Sequence, residues 1–260
     1  MTIPAEVAEL VGSSGNNFHA KVARWFRDNG WHIVVSPYYM DQSQNKAREI
    51  DLIAERLWPV SDSFGRPAGD VAVRLFIECK FVPTYSAFWF TDKNEGAALD
   101  LVCSSDVFRR NNTYTAKHHY LAPNSKVAKL FATSGSKGQE VDPFYKALNQ
   151  ALNAMVSMRG QPISVPALLK RGRDPMATLE FPVVVCSSFD SIFAVDFYAD
   201  TLPAKIERNF QLEVRYAYID ANDRRRDEYF LLDFVEFKQL GAFAEAVSTD
   251  AEAAAFFKSE

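Results

Sequence analysis

The amino-acid sequence predicts an α/β protein: a helix, a mixed central sheet and a second helix, followed by a C-terminal β-rich extension. Three observations lead there. Residues 16–29 place Phe18, Val22, Trp25 and Phe26 on one helical stripe, the spacing of an amphipathic helix. Residues 143–156 repeat Phe144, Ala147, Leu148, Ala151, Leu152, Met155 and Val156 at the same period. Between and beyond these helices lie short apolar runs bounded by Gly, Pro and polar clusters, which read as strands.

The elements follow in chain order. The first helix is stopped by Asn29-Gly30, which supplies a left-handed turn. A short strand over 31–36 is closed by Pro37, and after a polar turn a second strand runs over 48–57 with Asp51 in its middle. The Pro- and Gly-containing stretch 58–70 is expected as a loop that brings the next strand, 71–82, back antiparallel to it. An aromatic cluster, Tyr85, Phe88, Trp89 and Phe90, precedes a helix over 95–102. Asp142-Pro143 starts the second long helix, with an N-cap and a proline in the first turn. After a loop over 159–175, residues 179–187 read as a buried strand with 192–198 as its partner. Strands 211–219 and 228–235 form a hairpin around a charged turn, and a short helix over 238–247 leads into a polar tail.

Composition sets broad limits. The chain has 260 residues, 48% hydrophobic and 24% charged, with a formal net charge of -4, the profile of a folded globular protein rather than a disordered one. Its charge excludes a generally basic nucleic-acid coat, so a polyanion partner needs a local patch. Cys79, Cys103 and Cys186 have neither zinc-finger spacing nor an even disulfide framework. With no membrane-length apolar run, the expectation is a cytoplasmic protein without membrane association.

The stretch VAVRLFIECKFV, residues 71–82, sets Glu78 and Lys80 inside an apolar strand. Residues two apart share a strand face, so these two charges point together while Ile77, Cys79 and Phe81 point the other way. Burying ions costs several kcal/mol unless a partner, hydrogen bonds or a metal offset it. Asp51, on the neighbouring strand, adds a second carboxylate. Two carboxylates and the Cys79 backbone carbonyl form an oxygen donor set suited to a hard divalent cation, magnesium first and manganese second. Such an ion stabilises charge on a phosphodiester and activates water, while Lys80 orients that water or stabilises the developing charge. The structural alternative is a buried ion network, which here carries excess negative charge.

Asn29-Gly30-Trp31, then Glu49-Ile50-Asp51-Leu52-Ile53, then Ile77-Glu78-Cys79-Lys80, set between two helices, resemble the PD-(D/E)XK or restriction-endonuclease-like nuclease superfamily, near its Holliday-junction-resolvase and Mrr-like branch. The resemblance covers roughly residues 16–187. It implies a restriction-endonuclease-like core over residues 1–200 with a basic insertion at about 84–140, and C-terminal strands and a helix over 201–260 packed on the same domain. It also implies a metal-dependent phosphodiesterase, an endonuclease rather than an exonuclease, acting on DNA rather than RNA in restriction, phage defence or repair, alone, as a homodimer or with a partner protein. Asp51 and Glu78 are then metal ligands and Lys80 the catalytic cation. His19 stands where the branch often has a helix glutamate, Glu49 shares the face of Asp51, and Gln150 matches a glutamine of the second helix although its spacing places it on the polar face with Lys146 and Asn153. The alternatives on the same fold are a nucleic-acid-binding module that has lost turnover and a protein-interaction subunit.

Residues 107–139 contain Arg109, Arg110, Lys117, Lys126, Lys129 and Lys137 with no acidic residue, interleaved with Phe108, Tyr114 and Tyr120. Cations of this kind hold a phosphate backbone and aromatic rings stack on unpaired bases, so the run is a candidate nucleic-acid face. His118 and His119 face apart on any regular element and are not expected to form a joint metal site.

Overall fold

The computed structural model describes residues 3–259 apart from Ser43, Asp106, Asn124, Lys137, Gln139, Glu140 and Ala221, with backbone alone at Ser13, Leu169 and Arg171. Lys137 of the basic run therefore lies outside the described residues. The chain is α/β. Helices α1 (Ala5–Ser13) and α2 (Gly15–Asp28) lead into strands β1 (His32–Val35), β2 (Tyr38–Asp41), β3 (Lys46–Glu49), β4 (Leu52–Ser61), β5 (Pro67–Lys80) and β6 (Ser86–Asp92). Then come α3 (Glu95–Cys103), β7 (Lys126–Thr133), α4 (Pro143–Met158), α5 (Pro166–Arg171), β8 (Ala177–Cys186), β9 (Ile192–Asp196), β10 (Ala204–Lys205), β11 (Phe210–Ile219), β12 (Arg225–Glu236) and α6 (Leu240–Ser259).

Ten strands form one sheet in the order β1-β4-β5-β8-β12-β11-β7-β6-β9-β10, and β2 pairs with β3 in a separate ribbon. The antiparallel β4–β5 pair holds register from Leu52↔Ile77 to Val60↔Gly69 and shifts by one residue before Ser61↔Pro67, and β5 continues in parallel with β8 from Val71↔Ala177 to Lys80↔Cys186. The alternation of β5 then decides the layers. Its odd residues Val73, Leu75 and Ile77 meet Phe18, Val22 and Phe26 of α2 and Phe243 and Val247 of α6. Its even residue Phe76 meets Phe144, Leu148, Leu152 and Met155 of α4. Asp142 caps α4 by accepting the Phe144 N–H at 2.8 Å, so the expected cap and proline start are present.

Several expected boundaries move. The strand expected over 48–57 breaks at Ile50 and Asp51. Ser36 N–H donates to the Asp51 carbonyl and Ile50 N–H to that of Pro37, so the chain passes from the ribbon to the large sheet at that point. The stretch 58–70 is mostly strand: Pro59 sits in β4 beyond the residues that β1 covers, where its missing N–H breaks no rung. Only residues 62–66 turn, held by the Asp62 carboxylate on the N–H groups of Phe64 and Arg66 at 2.9 Å. The partner expected for β8 is not its partner, since β9 pairs with β6 and β10. The expected polar tail continues α6 to Ser259 because Ala251, Ala254 and Phe257 are buried on the α2 face.

Among the described residues the largest fully buried side chain is Arg74. Its guanidinium pairs with Glu55 at 2.7 Å and donates to the carbonyls of Pro162 at 2.6 Å and Gln161 at 3.2 Å. The group thus ties β4 and β5 to the segment after α4. Arg74→Ala leaves Glu55 buried without its charge partner, and urea unfolding should show a loss of about 3–5 kcal/mol; a loss below about 1 kcal/mol would mean that the network contributes little.

Candidate functional site

Asp51 leaves the ribbon just before β4, and Glu78 and Lys80 lie near the end of β5, on the α4 face. The break at Ile50 and Asp51, ahead of β4, brings them together. Asp51 Oδ2 accepts the Cys79 N–H at 2.7 Å, and Asp51 N–H donates to Glu78 Oε1 at 3.3 Å. Lys80 Nζ lies 2.9 Å from Glu78 Oε2. The β4–β5 ladder ends at Leu52↔Ile77, so past that point the Asp51 carboxylate takes the place of a β4 carbonyl. A strand residue points its N–H and C=O to the same side, and the Cys79 carbonyl therefore opens toward Asp51.

The Glu78 side chain is 1% exposed and that of Lys80 21%. Burial pushes the Glu78 carboxyl up to about 7; the Lys80 ammonium pulls it down and the Asp51 charge pushes it further up. Burial works against the Lys80 charge too, but Glu78 outweighs it and raises that pKa. With Glu78 ionised, two carboxylates and one ammonium leave a single negative charge uncompensated beside the buried Glu78. The Asp51–Glu78 set with the Cys79 carbonyl is all oxygen, the donor chemistry of a hard divalent cation, which would supply the missing charge.

The accessory residues divide. Gln150 Nε2 donates to the Glu49 carbonyl at 3.3 Å, and the Tyr39 hydroxyl donates to the Gln150 carbonyl at 3.4 Å. The side of α4 that helical spacing marks as polar is covered by the ribbon, where Asn153 Nδ2 also meets the buried Asp41 at 3.4 Å. Gln150 thus lies two residues from Asp51 along the partner segment, closer than its periodicity suggested. The Glu49 side chain holds the exposed Tyr38 hydroxyl and raises its pKa. His19 belongs to α2, which packs on the other face of the sheet, and its Nε2 is buried with no hydrogen-bond partner. The structure does not bring it to Glu78.

The basic run is largely neutralised. Arg110 pairs with Asp100, Lys126 with Asp196 at 2.7 Å, and Lys129 with Glu213. Lys117 Nζ sits 5.4 Å from the Tyr114 ring centre, and Arg109 has partners of its own. Phe108 and Tyr120 are buried, and Tyr114 packs on Phe256. Of the aromatics expected to stack, Phe108 and Tyr120 are core residues and Tyr114 stays exposed against Phe256, because the segment folds down onto α6.

A second polar cluster was not legible in the sequence. His118 and His119 lie at the junction of two short 3₁₀ turns, Thr115–Lys117 and His119–Leu121, so no regular alternation separates them, and their rings stack with centroids 5.0 Å apart. His118, His119 and Asp250 offer ligand atoms within 4.8 Å of one another, a metal-like grouping. Proton placement argues against a metal. His118 Nδ1 accepts the Tyr120 N–H at 3.1 Å, which leaves the ring proton on Nε2, 3.4 Å from Asp250 Oδ2. His119 lies between two carboxylates, Nδ1 on Asp250 and Nε2 3.2 Å from Asp233 Oδ2, and satisfies both only as an imidazolium. Burial alone lowers the His119 pKa, but Asp250 and Asp233 outweigh it and hold it at about 10; burial pushes His118 down to about 3. The cluster is a closed relay that fastens α6 to β12. A bare His-His pair gives no signal of this, since Asp250 lies 131 residues from His119.

Comparison of the chain with protein-family models, with curated proteins and with solved structures finds no match. Among the described residues no helix is long and apolar enough to cross a membrane. The functional reading therefore rests on the geometry of the site itself.

The relay has a pH signature. A histidine whose folded pKa is raised stabilises the fold fully below its unfolded value near 6.5, and the gain is lost as pH rises through the folded value. Wild-type unfolding free energy minus that of His119→Gln should fall progressively between about pH 6.5 and about 10. A difference that stays constant over that window would show that His119 is not charged in the folded protein.

Proposed function

We propose that this chain is a metal-dependent nuclease that hydrolyses phosphodiester bonds, DNA before RNA, with Asp51 and Glu78 as ligands of magnesium or manganese. The observation that carries the proposal is the junction at Asp51, whose carboxylate caps the Cys79 N–H beside Glu78 while Lys80 reaches the same Glu78 at 2.9 Å. The order of elements supports it: helix α2, three antiparallel strands β1, β4 and β5, helix α4, and β8 parallel to β5. This is the order that carries the restriction-endonuclease-like resemblance, with the β2–β3 ribbon set between its first and second strands.

The roles follow from position. Asp51 and Glu78, with the Cys79 carbonyl between them, would hold the cation. When bound, the ion supplies charge stabilisation at the phosphate and lowers the pKa of an attacking water. As a ligand, Glu78, a buried acid whose carboxyl is pushed up to about 7, would have to be ionised, so cation binding would release a proton. Lys80, partly exposed and able to leave Glu78, places an ammonium beside the phosphate as negative charge develops. Gln150 fixes the Glu49 carbonyl and with it the turn that presents Asp51. The neutralised basic run contributes less to this reading than the three-residue centre does.

Wild-type protein is expected to cleave DNA in magnesium or manganese. Asp51→Asn and Lys80→Ala should each reduce the rate by about a thousandfold with an unchanged circular dichroism spectrum. Wild-type rates in both variants would overturn the proposal. Salt-sensitive nucleic-acid binding without cleavage indicates a module that has lost turnover, and calorimetry showing neither divalent-cation nor nucleic-acid binding indicates a protein-interaction subunit.

A further inference from the structure

The large sheet opens between two of its central strands. The β8–β12 ladder covers only Val183–Cys186 against Asp233–Glu236, and on the upstream side the strands part. Pro182 stands at the point of parting and has no N–H with which to extend the ladder. The deep end of the gap is plugged by Tyr120, whose hydroxyl donates to the Leu231 carbonyl at 2.9 Å. What remains is a cavity of about 410 Å³, within the range of small-molecule sites. Its lining includes Glu180, which is in register with Arg74. That places it roughly 20 Å along β5 from Lys80, away from the Asp51–Glu78 centre.

The two ends of the cavity differ. Toward α3 its walls are mostly apolar, Val102, Phe108, Phe181 and Leu231, with Ser104, Ser105 and the ring of His118 among them. Toward α4 it is lined by Glu180, Glu228 and Arg159. Arg159 is engaged with Glu228 at 3.2 Å and the Tyr218 hydroxyl at 3.1 Å. Arg74, behind Glu180, lies 2.7 Å from Glu55 but reaches Glu180 only at 3.5 Å. Three carboxylates, Glu55, Glu180 and Glu228, thus share two guanidiniums, and the charge left over falls on Glu180.

We propose that this cleft binds a small organic monocation, an amine with an aromatic or branched aliphatic body, its ammonium on Glu180 and its body between β8 and β12. The apolar end takes the hydrophobic body, whose rings or branches pack against Phe108 and Phe181. Without a ligand, Glu180 relieves its own charge by holding a proton: burial pushes its carboxyl up to about 7, against the pull of Arg74 and Arg159. The charged groups facing it are Arg74 from β5, Glu55 from β4, Arg159 after α4 and Glu228 from β12, and His118 at the apolar end is held neutral by burial. Amine affinity therefore rises with pH through the Glu180 titration.

Calorimetry on the full chain with phenethylamine and its uncharged counterpart 2-phenylethanol tests this. The amine should bind saturably at pH 8 and at least about tenfold more tightly than the alcohol, with affinity falling about tenfold by pH 6. Glu180→Gln should erase the preference for the amine. Ser105→Trp, which fills the cavity without touching its ion pairs, should abolish binding of both. Equal affinity for amine and alcohol, no saturable binding of either, or an amine preference that survives Glu180→Gln would overturn the proposal. If Glu180→Gln does not fold by circular dichroism, the wild-type pH series and Ser105→Trp decide, a flat pH profile or unaltered binding in Ser105→Trp being the overturning results.

Discussion

Strand β5 sets Arg74, Glu78 and Lys80 on one face in the interior of a ten-stranded sheet, and a charge held away from water must be matched or neutralised. Arg74 is matched by Glu55 across the β4 ladder and by carbonyls that follow α4. Glu78 and Lys80 are matched only in part, by each other and by the groups of Asp51. The same strand thus has a closed ionic network at one end and an undercompensated one at the other. The closed end fastens layers together, and the open end is where chemistry is available.

The break in the chain at Ile50 and Asp51 follows from this constraint. A continuous strand from Arg48 would give Asp51 a regular place in the ladder, with its carboxylate at strand spacing from β5. By leaving the ribbon there and entering β4 at Leu52, the chain turns the Asp51 carboxylate onto the Cys79 N–H, where a β4 carbonyl would otherwise sit. The cost is a shorter ladder, and the result is two carboxylates and a carbonyl converging at the sheet's end. Elsewhere charge is handled more conservatively: the basic run is paired with acids from α3, β9 and β11, and the two adjacent histidines share Asp250, with Asp233 as the second partner of His119. Local charge density in a sequence is a poor guide to exposed charge, because partners arrive from strands distant in the chain.

Much of the architecture was legible because it is local. The periodicity of α2 and α4, the Asp142 cap, the antiparallel pairing of β4 with β5 and the β11–β12 hairpin all rest on spacings within a few residues. Strand ends were less legible, since Pro59 and Gly69 read as loop residues: Pro59 is tolerated where β1 no longer covers β4, and at Gly69 the Met176 side chain lies 2.7 Å from where a Cβ would stand. The partner of β9 was misread because sequence adjacency favours a hairpin, whereas β6 offers it a longer apolar edge in parallel. Asp51, Glu78 and Lys80 stood out as charges among apolar residues, and the fold brings them within hydrogen-bond reach of one another.

The sequence by itself determined the faces of the regular elements: the apolar alternation of β5 and the stripes of α2 and α4 say which side of each turns inward and that Glu78 and Lys80 lie inside a strand. The tertiary structure alone decided what each charge meets. It sent His19 to the opposite layer, covered the polar side of α4 with the β2–β3 ribbon so that Gln150 reaches Glu49, and brought Asp250 across the fold to the two histidines. It also parted β8 from β12 at Pro182 and opened a cavity there. The physical reason is that face and burial are set by short-range periodicity, while ion pairing, proton placement and empty volume depend on which distant segments are laid side by side.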